Sequence, residues 1–374
     1  MAGIYVHIPF CKSKCSYCDF ASFPDKLCFA ESYMACVYRE MAMRKDELKN
    51  YVFDTLYIGG GTPSVIDEQY IAMLVAAAKK NFKLSENAEI TIEMNPGTVS
   101  AGKIALYEKC GINRYSVGLQ TAVDSQLADV GRIHTLKDYL QCAKLLKGKN
   151  FSADVMIGLK GQSVADVEKT IETAAYSGAN HISMYALSAE DGTPIYTDYL
   201  NGELPDSDEV AAMYEAGVKK LKSLGYERYE VSNFAKKGFE SRHNLNYWRR
   251  GEYIGFGVAA SSCINNVRFT NTFDLDEYFK CILSNRFAVI NSEEIDKKGQ
   301  QDEFIMLALR TSTGLDLKEY TRLFGEDFVE KFAAKLEKMQ EYVEVSQDFV
   351  RIKDEYLFIQ NSIIIEFLEF NDAI

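Results

Sequence analysis

Residues 5–18 read Tyr5-Val6-His7-Ile8-Pro9-Phe10-Cys11-Lys12-Ser13-Lys14-Cys15-Ser16-Tyr17-Cys18. An apolar strand pattern ends here, directly before three cysteines at C-x3-C-x2-C spacing. Soft thiolates suit iron–sulfur clusters, and three on one loop can hold three irons of a cubane while the fourth stays open to a ligand. The stretch therefore predicts a reactive 4Fe-4S cluster on Cys11, Cys15 and Cys18.

Two other interpretations of the triad are a zinc site and three unrelated thiols. Zinc normally takes four protein ligands, and no fourth Cys or His follows at zinc-like spacing. The remaining cysteines are scattered and mostly sit in apolar contexts, so we expect burial for them. They are Cys28, Cys36, Cys110, Cys142, Cys263 and Cys281.

Composition narrows the function classes. The chain has 374 residues, is 47% hydrophobic and carries a net charge of −12, which allows a large core and argues against nonspecific binding to nucleic acid or to an anionic membrane. It has no run of 18 apolar residues and no secretory pattern at its start, and its nine cysteines are odd in number. These features predict a cytoplasmic protein with reduced thiols.

The first 190 residues alternate strand and helix patterns, which predicts six βα units around a parallel sheet. A doubly wound sheet and a partial barrel both fit. The expected strands are 3–6, 55–58, 89–94, 114–119, 152–157 and 181–186, and the expected helices are 31–49, 68–81, 101–110, 136–147 and 164–177.

The pattern changes after Pro205. A helix over 208–224 and strand-rich stretches over 226–234 and 253–271 extend the first domain, which we place at residues 1–290. Residues 291–374 are predicted as a small, mainly helical domain, with helices over 301–309, 317–324 and 326–341 and strands over 342–345 and 349–352. This order resembles a winged helix, but its 10 Lys and Arg against 19 Asp and Glu argue against a DNA-binding regulator.

The cysteine loop resembles the signature of the radical S-adenosylmethionine (SAM) superfamily, C-x3-C-x-aromatic-C, with Tyr17 as the aromatic residue beside the adenine. The resemblance implies a partial (β/α)6 barrel whose cluster lies at the C-terminal ends of the strands. It also implies that the cluster binds SAM and cleaves it to a 5'-deoxyadenosyl radical. The resemblance also implies that the triplet Gly59-Gly60-Gly61 lies where the SAM amino group binds. Without the resemblance, the triplet could be read as only a tight turn.

The same resemblance implies a set of SAM contacts at or near strand ends. Alone, each polar residue in this set could equally be a cap or a surface side chain, and the last three align more loosely. The set is Tyr17, Gly60, Gly61, Thr62, Glu93, Gln120, Arg132, Asp154, Tyr5, Ala186 and Ser261.

Within the superfamily, the motif Tyr5-Val6-His7-Ile8-Pro9-Phe10-Cys11 resembles the branch of oxygen-independent coproporphyrinogen oxidases. The oxidases carry a fourth cysteine two residues after the third cluster ligand and an N-terminal extension. Here that position is Phe20, and ten residues precede Cys11. In both features the chain resembles the HemW-type heme chaperones. We therefore expect a heme-delivering protein, with a porphyrinogen decarboxylase as the alternative.

The heme chaperone group also carries an H-N-x-x-Y-W motif, here His243-Asn244-Leu245-Asn246-Tyr247-Trp248. An imidazole can ligate heme iron, aromatic rings offer flat faces, and flanking arginines can pair with propionates. We therefore expect His243 as the axial ligand, with Tyr247 and Trp248 shaping the site. A residue packed on the barrel rim, or ligation by Cys263 or Cys281, are the alternatives.

The resemblance further implies partners. Heme-acceptor proteins and an electron donor such as a flavodoxin or ferredoxin are expected. A homodimer and peripheral membrane contact through the acceptors stay open, and no nucleic acid is expected. Whether SAM is cleaved during heme transfer is not decided by the sequence.

Overall fold

The computed structural model describes residues 1–368; residues 369–374, which belong to the expected C-terminal domain, lie outside the described residues. Within the described range, twelve strands form one sheet and three form another. The strands of the large sheet are β1 (Ala2–Ile8), β2 (Val52–Gly60), β3 (Lys83–Met94), β4 (Arg114–Gln120), β5 (Phe151–Ile157), β6 (His181–Ala186), β7 (Glu227–Arg228), β8 (Asn233–Ala235), β9 (Glu252–Phe256), β10 (Ser261–Ile264), β11 (Val267–Asn271) and β12 (Val289–Glu294).

Helices connect these strands as the sequence pattern predicts. The helices of this part are α1 (Ala30–Met43), α2 (Glu68–Asn81), α3 (Ala101–Cys110), α4 (Asp124–Asp129), α5 (Leu136–Leu145), α6 (Val164–Tyr176), α7 (Ile195–Leu200), α8 (Ser207–Ser223), α9 (Arg242–Trp248) and α10 (Leu275–Leu283), with short 3-10 turns at Pro24–Phe29, Pro63–Val65 and Pro96–Thr98.

Strands β1 to β6 pair in parallel and in chain order, which confirms the six βα units. Strand β1 lies between β2 and β9, while β6 lies between β5 and β8, so the barrel they form is partial. The carboxyl ends of parallel strands meet at one edge, and this brings the loops after β1, β2, β3 and β4 together. Of the two architectures that fit the sequence pattern, a doubly wound sheet and a partial barrel, the structure has the partial barrel.

The strand-rich extension continues the sheet past β1. Strand β9 pairs in parallel with β1, and β10, β11 and β12 follow as an antiparallel series. The expected strand over 226–234 is two short strands, β7 and β8. The expected helix over 31–49 ends at Met43, where the Arg44 guanidinium turns to stack on the rings of Phe269 and Phe287.

The C-terminal part has its own hydrophobic cluster, made of residues between Phe304 and Phe367 and separate from the core of the barrel. Its sheet has the strand order β13-β15-β14, in a helix–strand–helix–strand–strand sequence that is typical of a winged helix. The expected boundary at residue 290 falls inside β12. The elements are α11 (Lys297–Ala308), β13 (Leu315–Asp316), α12 (Leu317–Phe324), α13 (Phe328–Lys331), α14 (Ala333–Lys338), β14 (Val343–Val345), β15 (Phe349–Ile352) and α15 (Gln360–Ile364), with 3-10 turns at Asp354–Ile359 and Ile365–Phe367.

The helix expected over 326–341 is divided, because Phe332 leaves helical geometry between α13 and α14 and packs its ring against Phe328 and Phe367. Among residues 1–368, no helix is both long and apolar enough to cross a membrane.

Candidate functional site

A cavity of about 530 Å³ opens inside the barrel at the carboxyl ends of its strands. Successive side chains of a strand point to opposite faces, so one face of each strand lines the cavity. Every second residue of β3 to β6 does so: Thr91 and Glu93; Arg114, Ser116, Gly118 and Gln120; Ser152, Asp154 and Met156; His181, Ser183 and Tyr185. The volume is in the range of small-molecule sites.

The cysteine loop forms the mouth of this cavity, and Cys11, Cys15, Tyr17 and Cys18 all line it. Backbone hydrogen bonds anchor the loop to distant segments. The Ser16 N–H donates to the Val130 carbonyl at 3.1 Å, and the Ser16 carbonyl accepts from the Ile195 N–H at 3.0 Å. The N–H and the carbonyl of Ser16 therefore both fix the position of the loop.

The three thiols line one cavity without converging on one point. Within the described chain, no three Cys, His, Asp or Glu side chains are already gathered as the ligands of a single metal ion. A single zinc ion requires such convergence, whereas a cubane is bound at three separate iron corners. The donor set of three thiols and no carboxylate fits a cluster better than one ion.

The glycine triplet brings backbone against the cysteine loop. The Gly61 N–H donates to the Ile8 carbonyl at 2.9 Å, and a Cβ at position 61 would lie 3.0 Å from the Cys11 sulfur. Gly60 has a φ of +115°, and a Cβ there would stand 2.7 Å from the His7 ring. Only glycine fits this close approach.

Glu93 lies beside the triplet, fully inside the barrel. Its carboxylate accepts hydrogen bonds from the Tyr57 hydroxyl at 2.7 Å and from the Gly60 N–H at 3.0 Å. Burial raises the pKa of Glu93 to about 7, because a charged carboxylate loses solvation there. The group can therefore receive a cationic amine.

Arg132 and Gln120 occupy the opposite wall. The Arg132 guanidinium donates to the Gly118 carbonyl at 3.2 Å and lies 3.8 Å from the Cys15 sulfur, while its buried Nε has no partner among the described residues. Gln120 is buried with a φ of +67°, a strained conformation for a residue other than glycine. Its side chain accepts from the Tyr185 hydroxyl at 2.9 Å. Unpaired donors and backbone strain are typical of ligand sites.

Asp154 lies deeper, with the Ser116 hydroxyl 3.4 Å from each of its carboxylate oxygens. Burial raises the pKa of Asp154 to about 6. Thr62 and Ala186 complete the expected set in this cavity, and the Thr62 hydroxyl is 3.4 Å from the Cys11 sulfur. The cavity thus brings together Tyr17, Gly60, Gly61, Thr62, Glu93, Gln120, Arg132, Asp154, Ala186 and the three cysteines.

Two of the expected SAM contacts lie elsewhere. Tyr5 and Ser261 line a second cavity of about 800 Å³, bounded by the loop after Cys18, the β9–β11 strands and α11. The Tyr5 hydroxyl bonds to His7 at 3.0 Å, and its ring stacks on Tyr57, which bonds to Glu93 in the first cavity. SAM contacts by Tyr5 and Ser261 stay predictions.

His243 does not present a free nitrogen. Its ring is 2% exposed, its Nδ1 is 2.7 Å from the Thr55 hydroxyl, and its Nε2 is 2.9 Å from the Tyr247 hydroxyl. Burial lowers its pKa to about 3, so the ring is neutral. Ligation of heme iron by His243 stays a prediction, and it would require one of these two bonds to break.

The other members of this motif differ in position. Tyr247 lines the second cavity, whereas Trp248 lines neither cavity among the described residues. Of the two alternative thiols, Cys263 lines the second cavity, and Cys281 is buried on α10, 3.3 Å from a Glu277 oxygen. The motif therefore contributes Tyr247 to the second cavity and Asn244 to the first.

Sequence reasoning missed several residues that line the first cavity. Tyr57 holds Glu93, Tyr185 holds Gln120, and Arg114 and His181 lie at the inner end. A signal was available: polar residues recur every second position in strands that are otherwise apolar, which indicates a polar barrel interior.

Comparison with known families and proteins agrees with this geometry. The sequence profile of the Radical SAM superfamily matches residues 5–174, and that of the HemN C-terminal domain matches residues 295–360. Heme chaperone HemW of Bacillus subtilis (strain 168) is 33% identical over 347 residues, which cover 91% of this chain and 92% of that protein. Heme chaperone HemW of Escherichia coli (strain K12) is 36% identical over 69% of each chain.

Among solved structures, coproporphyrinogen III oxidase (HemN) from Escherichia coli matches with a TM-score of 0.87 at 18% identity, covering 99% of this chain and 90% of that one. At this identity the match shows a shared fold. The matched profile and the relatives that align over nearly the whole chain show that this protein belongs to the radical SAM superfamily and, within it, to the HemW family.

Proposed function

We propose that this protein is a heme chaperone that binds heme and delivers it to acceptor proteins, on a scaffold that holds a 4Fe-4S cluster and SAM. The observation that carries the proposal is the pair of adjacent cavities. The first gathers the cysteines and the polar residues described above, the second is large and rich in aromatic residues, and Asp19 and Phe20 line both. The names of the relatives that match over most of the chain support this function.

The first cavity is suited to the cluster and SAM. A bound cluster would supply an electron to SAM at an open iron. Cys11, Cys15 and Cys18 would hold its other three irons, and Arg132 places positive charge beside the Cys15 thiolate. Glu93, Gly60 and Gly61 would receive the amino end of SAM, and the barrel would exclude water.

Glu93 makes the expected binding of SAM depend on pH. Its carboxyl has a pKa of about 7, so the charged form that pairs with the amino group is lost as the pH falls through that value. We expect the affinity for SAM, measured calorimetrically on reconstituted protein, to drop by up to about tenfold per pH unit below pH 7.

Glu93→Gln should weaken binding and abolish this dependence, whereas Glu86→Gln, an exposed glutamate on the same strand, should change neither. An unaltered pH profile in Glu93→Gln would rule out Glu93 as the titrating contact.

The second cavity is suited to heme. Its volume of about 800 Å³ falls in the range of cofactor sites, and Phe20 and Phe273 stand at its rim, 63% and 58% exposed. Arg250 and Arg268 also line it and could pair with propionates. Tyr247 contributes an aromatic face, while Trp248 packs outside.

The direct test is titration of hemin into the anaerobically reconstituted protein. We expect saturation at about one heme per chain, followed by transfer to apomyoglobin used as a model acceptor. His181→Ala, which alters the inner end of the first cavity, should leave the heme spectrum and affinity largely intact. Absence of saturable binding, or bound heme that never reaches the acceptor, would refute the proposed function.

The alternative is oxidative decarboxylation of coproporphyrinogen III, the reaction named for the solved structure of similar fold. Phe20 replaces the fourth cysteine of that class, and it lies at the rim shared by both cavities. We expect no carbon dioxide loss from coproporphyrinogen III with SAM and a reductant, although slow abortive SAM cleavage is compatible with this. Successive carbon dioxide losses over many turnovers, seen by mass spectrometry, would place the protein with the oxidases.

Partners follow from the proposed function. Heme-acceptor proteins receive the cargo, and a flavodoxin or ferredoxin would reduce the cluster. The cytoplasmic location, a homodimer and membrane contact through acceptors stay predictions.

A further inference from the structure

The second cavity contains an unusual arrangement around Tyr247. The phenol of this residue lines the cavity, and its oxygen lies 2.9 Å from Nε2 of His243. His243 is itself held from behind by the Thr55 hydroxyl at 2.7 Å and by stacking on Tyr57 at 5.0 Å between ring centroids. A neutral imidazole has one nitrogen that accepts and one that donates. With Nδ1–H donating to Thr55, Nε2 accepts the phenol hydrogen.

From this geometry we infer that Tyr247 is the axial ligand of heme iron and that His243 is its positioning residue, which holds the phenol oxygen by a hydrogen bond at 2.9 Å. The inference rests on the proposed heme-chaperone function and names the ligand within it. The inference also explains why His243 is buried, since a positioning residue acts through Tyr247 and needs no contact with heme.

The chemistry balances without a redox step. Ferric heme would form an iron–oxygen bond to Tyr247 as the phenol O–H bond breaks. One proton would leave to solvent through the open cavity, and the His243 ring would stay neutral by changing tautomer, so that Nε2–H donates to the phenolate and Nδ1 accepts from the Thr55 hydroxyl. Tyrosine oxygen is an established ligand type for heme iron. A hydrogen-bonded partner on a metal ligand fixes its orientation and raises its basicity.

Two arginines at this end of the cavity could hold the heme propionates. Arg250, three residues after Tyr247, and Arg268 both line the cavity and share Glu303 between them. Arg268 also pairs with Glu293 at 2.9 Å, so the two guanidinium groups are balanced by two carboxylates. Their further N–H groups can donate to propionates.

The cavity offers other donors, which are less suited. Both nitrogens of His7 are already bonded, to the Tyr5 hydroxyl at 3.0 Å and to the Ala21 carbonyl at 2.8 Å, and the Tyr253 phenol bonds to Arg268 instead of an imidazole. The Tyr5 hydroxyl donates to His7, but it faces the carboxylate of Glu93, which raises the pKa of its phenol further.

Burial raises the pKa of the Cys263 thiol and of the Tyr247 phenol alike, so geometry decides between them: the Tyr247 oxygen is the one that lies 2.9 Å from an imidazole nitrogen. Met306 also lines the cavity. Its thioether is a neutral, soft donor, which matches the hard ferric ion less well than an oxygen donor does.

Tyr5 supplies a matched control, because it is a second phenol bonded to a histidine in the same cavity. We would titrate hemin into reconstituted wild type, Tyr247→Phe, Tyr5→Phe, Cys263→Ala and His243→Ala, and record resonance Raman spectra together with affinities. Circular dichroism would confirm that each variant is folded.

We expect iron–phenolate bands in the wild type, their loss in Tyr247→Phe with affinity lowered about 10- to 100-fold, and their retention in Tyr5→Phe and Cys263→Ala. In a folded His243→Ala protein the phenolate bands should shift or lose intensity, which a merely structural residue would not cause. Wild-type spectra in Tyr247→Phe, or loss of the bands in Cys263→Ala alone, would overturn the assignment and leave heme binding standing. A wild type that binds no heme would instead refute the proposed function.

Discussion

Alanine at Cys11, Cys15 or Cys18 abolishes the broad visible absorption of the reconstituted protein and lowers its iron and sulfide content from about four of each per chain to near zero. The reason is that each thiol would hold a different iron corner, and the described residues offer no fourth gathered ligand in replacement. Cys11 is the most buried of the three and bonds to Thr62. The measurement is iron and sulfide analysis with absorption spectroscopy after anaerobic reconstitution.

The matched control is Cys28→Ala, since Cys28 lies ten residues beyond the loop and is an exposed thiol, contrary to the burial expected from the sequence. This variant should keep full iron and sulfide content. Retention of the absorption in all three triad variants, or stoichiometric zinc in the purified wild type, would contradict the cluster assignment.

Glu40→Ala should lower the free energy of unfolding of the barrel by about 3–5 kcal/mol. Glu40 is 0% exposed. It accepts hydrogen bonds from the Gly257 N–H at 2.8 Å, the Asn271 amide at 2.7 Å and the Tyr278 hydroxyl at 2.8 Å. Alanine leaves three buried donors unpaired and removes the tie between α1 and the strands that wall the second cavity.

Urea unfolding followed by circular dichroism would measure this loss, provided that the slope of the transition is unchanged. Glu337→Ala, an exposed glutamate on α14, should have little effect, and Glu40→Gln should cost less than Glu40→Ala because one acceptor is kept. A loss below about 1 kcal/mol in Glu40→Ala would show that this network is not a main stabilising contact.

Local patterns were enough to predict the six βα units and the cysteine loop, and the family resemblance added the partial barrel. Cys11, Cys15 and Cys18 lie within eight residues, so their spacing alone brings them to one loop. The strand ends after β3 and β4 carry Glu93 and Gln120, and parallel order brings these ends to a single edge. The fold prediction is confirmed, whereas the roles of these side chains stay predictions.

Long-range packing produces contacts that sequence reasoning did not predict. The motif around His243 looked like an iron ligand with two aromatic faces, but its partner Thr55 is 188 residues away and no local pattern indicates it. Tyr5 and Ser261 were assigned to SAM by the family resemblance, to which they align more loosely. Their side chains line a different cavity, because β9 and β10 extend the sheet beyond β1.

The sequence by itself determined the chemistry of the cysteine loop, the six βα units, the acidic C-terminal part and the family, because each depends on residue type at short spacing or on periodicity. Tertiary structure alone decided which polar side chains share a cavity and that Asp19 and Phe20 join two cavities. It also decided that His243 faces Tyr247 and Thr55 and not open space. The physical reason is that burial and hydrogen-bond partners are set by segments that meet only when the sheet is assembled.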